Sequence, residues 1–118
     1  MNYFKELKVW QKVIELVTET YLKTQLFPKE EIYGLTSQIR RCAVSIPSNI
    51  AEGCGRKTDK DFSNFLSISL GSAFEFETQL NICKNLGYIL EIDFKTLESE
   101  IQHIQNMIIK LQNTIDKK

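Results

Sequence analysis

The chain is short of the residues that announce a chemistry. In 118 residues there is one histidine, there are three cysteines, and there is no net charge. Lys plus Arg and Asp plus Glu stand at 15 each, which leaves no overall field to gather a nucleic acid or an anionic membrane. The cysteines, Cys42, Cys54 and Cys83, are odd in number and form no Cys-x-x-Cys pair. A disulfide framework is therefore not expected, and reduced thiols fit a cytoplasmic protein. No apolar run reaches the length of a membrane span, and no basic start leads into an apolar stretch. Membrane insertion and secretion are not expected. Only two prolines and five glycines interrupt the chain, so long helices are possible.

What is present is helical periodicity. Hydrophobic residues make up 42% of the chain and charged residues 25%, as in an ordinary globular domain. Leu7, Trp10, Ile14, Val17 and Tyr21 repeat at 3-4-3-4 spacing, with Val13 and Leu22 widening the stripe. Ile32, Leu35, Ile39, Cys42 and Ile46 do the same after Pro28, with Gly34 as a weak point inside that run. Thr58, followed by Asp61, predicts the N-cap of a third helix. Its core stripe is Phe62, Leu66, Ser69, Ala73, Phe76, Leu80 and Cys83, and Gly87 predicts its stop. A fourth helix, with Asp93 as N-cap, carries Phe94, Leu97, Ile101, Ile104, Ile108, Leu111 and Ile115. No stretch alternates with period two. The pattern predicts one all-α domain over 1–118, an antiparallel up-down-up-down four-helix bundle with helices at about 4–24, 29–53, 59–87 and 93–115. A second row on the third helix (Phe65, Ile68, Ser72, Glu75, Gln79, Ile82, Leu86) is apolar at both ends. Such surplus predicts self-association.

The second helix carries the oddest feature. Residues 40–56 read RRCAVSIPSNIAEGCGR, with Pro47 inside the helical pattern. A proline there removes one backbone bond and costs about 3 kcal/mol in a straight helix. A kink at Pro47, with the helix continuing to Gly53, keeps Ile46 and Ile50 on an apolar face. Arg41, Ser45, Ser48 and Glu52 share another face, and Asn49 falls on the apolar stripe itself. A hairpin turning near residue 56 sets Arg41 opposite Ser72 and Gln38 opposite Glu75. Gly71, Ser72 and Ala73 are small there. An Arg41–Glu75 pair over this patch is expected, with Ser45 and Asn49 serving backbone groups freed at the kink. Arg41→Met is then expected to shift the oligomeric state or the melting temperature strongly.

The run GLTSQIRRCAVSIPSNIAEGCGRKTDKDFSNFLSISLGSAFEFETQL, with the elements SIPSNIAEG and GSAFE, resembles the bacterial four-helix-bundle proteins encoded in intervening sequences of 23S ribosomal RNA genes. FKELKVWQKVIELVTETYLKTQLFPKEEIYGL and NLGYI resemble them too, so nearly the whole chain is covered. The resemblance implies an up-down bundle that assembles into a ring, a homopentamer, with an ill-defined biochemical role. A related branch, the accessory proteins of diversity-generating retroelements, forms similar barrels that engage a reverse transcriptase and nucleic acid. Those proteins are strongly basic, whereas this chain is neutral.

The candidate nucleic-acid contacts are Arg40, Arg56 and Lys57, which with Arg41 form the one basic cluster; repetition round a ring would strengthen it. No aromatic residues interleave with it to stack bases. Charge is also split along the chain: residues 1–57 hold nine basic and six acidic groups, and residues 58–118 six and nine. Enzyme chemistry finds no support. His103 has no nearby cysteine or acid triad, Cys54 has no base, GCGRKT lacks phosphate-loop spacing, and Glu52, Glu75 and Glu77 do not form the Glu-x-x-His pattern of di-iron bundles. No catalytic residue, cofactor, metal or small-molecule substrate is expected. The reading is a self-assembling interaction scaffold, the alternative an RNA- or DNA-binding accessory protein.

Overall fold

The computed structural model describes residues 3–117. They form four helices: α1 (Lys8–Thr24), α2 (Leu35–Cys54), α3 (Asp59–Asn85) and α4 (Glu91–Asp116), with 3-10 turns at Phe4–Glu6 and Lys29–Glu31. No strand occurs among the described residues. Helices α1 and α3 each pack against both α2 and α4, which is the four-helix bundle the periodicity predicts. The molecule measures 46 × 23 × 20 Å.

Helices α3 and α4 carry the expected stripes. Leu66, Ser69, Ala73, Phe76, Leu80 and Cys83 are buried, as are Phe94, Leu97, Ile101, Ile104, Ile108 and Ile115; Phe62 and Leu111 are half-buried. The Thr58 hydroxyl caps α3 by accepting from the Asp61 amide at 3.1 Å. At the other end Gly87 takes φ +75°, so that the amides of Tyr88 and Gly87 reach back to the carbonyls of Cys83 and Lys84, both at 3.0 Å.

The first half departs from expectation. Leu7 is extended, so α1 begins at Lys8 and the Phe4–Glu6 turn stands apart from it. The buried row of α1 is Val9, Val13, Leu16, Thr20 and Thr24, one step round from the predicted stripe. Hydropathy counts threonine as polar, yet each hydroxyl here donates to the carbonyl a turn earlier: Thr20 to Leu16 at 2.8 Å, Thr24 to Thr20 at 2.7 Å. Satisfied in this way, both threonines tolerate burial. Ile14 and Tyr21 are consequently exposed, while Leu7, Trp10 and Val17 flank the core.

Helix α2 starts at Leu35, not near Lys29. Gly34 is its N-cap (φ −110°, ψ −116°) rather than a helix interior residue, and Ile32, in the preceding turn, is exposed. The Glu31 carboxylate supplies the missing cap, accepting from the Leu35 amide at 3.1 Å and from the Tyr88 hydroxyl at 2.9 Å. Asp93 is also not the N-cap of α4; Leu90 is. Asp93 lies in the first turn and pairs with Lys23 at 3.1 Å, tying the start of α4 to the end of α1.

Candidate functional site

The helix α2 runs unbroken through Pro47 to Cys54. Around the proline the side-chain donors land on neighbouring carbonyls. The Asn49 amide donates to the Ser45 carbonyl at 2.8 Å and to the Ser45 hydroxyl at 3.0 Å. The fully buried Ser69 hydroxyl crosses from α3 to the Ile46 carbonyl at 2.8 Å. The Ser45 and Ser72 hydroxyls share a hydrogen bond of 2.9 Å. The Cys42 thiol donates to the Ser72 carbonyl at 3.0 Å and meets the Glu75 carboxylate at 3.4 Å. These contacts make a polar seam between α2 and α3, in which small residues let the helices approach closely. At Gly53 the approach is so close that an added Cβ would lie 2.6 Å from Phe65 Cβ.

The seam sits one helical turn from the predicted register. Ser72 meets Ser45 and not Arg41; Glu75 meets Cys42 and not Gln38. Helical side chains lean toward the N-terminus of their own helix, so in an antiparallel pair the residues that touch lie further along each chain than backbone level suggests. This lean accounts for part of the offset.

The two neighbouring arginines exchange roles. Arg40, expected as an outward contact, is tied to α1. Its Nε donates to the Thr24 hydroxyl at 2.8 Å, an Nη donates to the Tyr21 carbonyl at 3.4 Å, and its guanidinium lies 4.8 Å from the Tyr21 ring centre. It closes the C-terminal end of α1, where carbonyls lack helical partners. Arg41 is exposed and makes no such bond among the described residues, whose ion pairs are Lys23–Asp93 and Glu52–Arg56. The expected Arg41–Glu75 pair is not formed. Instead Gln38, Arg41 and Glu75 line an open cavity of about 450 Å³ with Tyr33, Ser37, Cys42, Ser45 and Gln79. Arg56 packs its guanidinium over Phe65 at 4.7 Å and faces Glu52 at 4.0 Å; Lys57 is exposed.

Cys42 and Cys83 do not resemble nucleophiles. Burial pushes Cys42 up to about 12, and the hydrogen bond and charge of Glu75 add to it; burial pushes Cys83 up to about 11. Cys54 is half-buried and His103 exposed. No group of three or more His, Cys, Asp or Glu among the described residues is placed to hold a metal. No helix among them is long and apolar enough to cross a membrane.

A second surface lies between α1 and α2. Phe4, Trp10, Ile14, Val17, Val44, Pro47, Ser48 and Ala51 line an apolar groove of about 380 Å³. It exists because Thr20 and Thr24 occupy the core and leave the aromatic and aliphatic row of α1 to one side. Val44 is 40% and Ile14 37% exposed there.

Fold and surfaces together define an up-down four-helix bundle with a polar α2–α3 seam and an uncovered apolar groove. The family model of the 23S rRNA-intervening sequence protein matches residues 5–110, and the chain belongs to that family. A crystal structure of a protein of unknown function from the S23 ribosomal protein family of Bacteroides thetaiotaomicron is similar, with a TM-score of 0.81 and 25% identity. The alignment covers 89% of this chain and 95% of that one. A comparison with curated proteins found no match.

Proposed function

We propose that the chain is a non-enzymatic cytoplasmic building block that assembles into a homopentameric ring and acts as an interaction scaffold. The observation that carries this reading is the apolar groove between α1 and α2, whose Trp10, Ile14, Val17 and Val44 would be better covered than wet. The number five rests on the family resemblance. Val44→Asp places a charge in the groove without touching the core and is expected to reduce the assembly to monomers while helicity stays unchanged. Wild-type-sized particles from Val44→Asp would overturn the groove as the interface.

The alternative is an RNA-binding accessory protein. Arg56 and Lys57 favour it, exposed on the loop that a ring would repeat. Against it, Arg40 is occupied, and Arg41 lies 13 residues before the end of α2 at Cys54, about 20 Å along the helix from the loop that carries Arg56, so the cluster is not one patch. RNA binding measured at two salt concentrations separates the readings. A steep salt dependence lost in Arg56→Ala plus Lys57→Ala favours RNA, and no binding at low salt excludes it.

A further inference from the structure

Helix α3 presents a second uncovered apolar row. Ile68 is 53% and Ile82 43% exposed, and the exposed Glu75 stands midway, seven residues from each. Seven residues make about two turns, so the three share one side of the helix. The α2–α3 seam fixes their height along the bundle. Glu75 meets Cys42, and Ser69 meets Ile46. Glu75 is therefore level with Arg41, and Ile68 is level with Pro47 and Ser48 in the wall of the α1–α2 groove. Ile82 is level with the start of α2. There Ile32, 48% exposed, lines a second hollow with Tyr21, Arg41 and Val44.

We propose that the Ile68–Glu75–Ile82 row of one copy docks on the α1–α2 face of the next, so that the ring is built from head-to-tail contacts. This rests on the groove being the interface and adds the surface that fills it. A closed ring of five needs two different faces on each copy, because a face that pairs with itself stops at a dimer. Rotation about an axis along the bundle leaves heights unchanged. Ile68 of one copy then arrives at Pro47 and Ser48 of the next, Ile82 at Ile32, and Glu75 at Arg41. The charges fit this order. Arg41 and Glu75 each lack an ion pair among the described residues. Residues 1–57, which hold α1 and α2, carry nine basic and six acidic groups, and residues 58–118 six and nine. Head-to-tail contact sets the basic half against the acidic half, whereas groove-to-groove contact sets basic against basic. The exposed Arg41–Glu75 pair sets register more than strength, which comes from covering the isoleucines.

The test measures the mass and helicity of full-length variants. Ile68→Asp is expected to give folded monomers. Phe74→Asp is the control: Phe74 is 49% exposed on the same helix but about 120° round from Ile68, and the variant is expected to assemble as wild type. Mixing then reads the order of contact. Ser48→Cys and Ile68→Cys, prepared as separate single variants, co-assembled and mildly oxidised, are expected to form disulfide-linked pairs of one chain of each. Neither variant alone is expected to link beyond the wild-type background. Wild-type-sized particles from Ile68→Asp, or linked pairs from Ser48→Cys alone, would overturn the proposal. If Ile68→Asp stays assembled while Val44→Asp dissociates, the groove remains the interface and only its occupant is wrong. If both stay assembled, the groove reading fails as well.

Discussion

Gly53 offers a prediction in which helix propensity and packing demand opposite signs. It is the second-last residue of α2, and replacing a helical glycine with alanine ordinarily stabilises by up to about 1 kcal/mol. Here the new methyl would lie 2.6 Å from Phe65 Cβ, 3.0 Å from Phe62 Cδ1 and 3.3 Å from Phe65 Cγ. A Cβ is fixed to its backbone, so no rotamer change relieves the first contact; α3 itself has to move. Overpacking of this kind costs about 1–3 kcal/mol. The net expectation for Gly53→Ala is a loss of about 0.5–2 kcal/mol. Gly71, in the middle of α3, is the internal control. An added Cβ there meets nothing within 4 Å, so Gly71→Ala is expected to gain up to about 1 kcal/mol. Urea unfolding of both variants, at fixed protein concentration, reads the difference directly. If Gly53→Ala is as stabilising as Gly71→Ala, the close α2–α3 approach is wrong.

The remaining predictions concern the polar groups. Arg40→Met loses two hydrogen bonds to α1 and the Tyr21 contact and is expected to cost about 1–2 kcal/mol, whereas Arg41→Met stays within about 0.5 kcal/mol in thermal or urea unfolding. Ser69→Ala removes a fully buried hydroxyl from the Ile46 carbonyl and is expected to cost about 1–2 kcal/mol by the same assay. Cys42 and Cys83 hold their protons up to about 12 and 11 when folded, against 9.0 when free. Above pH 9 the unfolded chain sheds protons that the folded chain keeps, so their contribution is complete below pH 9 and declines as pH rises toward 11–12. The fall of the urea midpoint above pH 9 is expected to be shallower in Cys42→Ala plus Cys83→Ala, and an unchanged slope would refute it.

Much of this architecture is legible in the sequence, and the failures share a cause. The stripes of α3 and α4 read correctly because their core positions are filled by unambiguous apolar residues such as Phe76 and Ile104. Helix α1 misleads because Thr20 and Thr24 bury themselves by bonding their own backbone, which no hydropathy pattern registers. The start of α2 misleads because its cap is not a local serine or aspartate but Glu31, shared with Tyr88, 57 residues away. At the α2–α3 seam the residue types were readable: Ser45, Asn49 and Ser72 take part as a group. Their partners were not, since a register error of one turn reassigns every contact and turns Arg41 from a seam residue into a cavity wall. The exchange of roles between Arg40 and Arg41 has the same origin. Adjacent helical residues point about 100° apart, so a small error in the facing direction decides which arginine is tied down.

Assembly is the central claim, and sedimentation equilibrium over a range of protein concentrations tests it most directly. A homopentamer predicts a mass of about 69 kDa, five times the 13.7 kDa of one chain, and the groove variant Val44→Asp predicts 13.7 kDa. A wild-type mass of 13.7 kDa at every concentration would contradict the account.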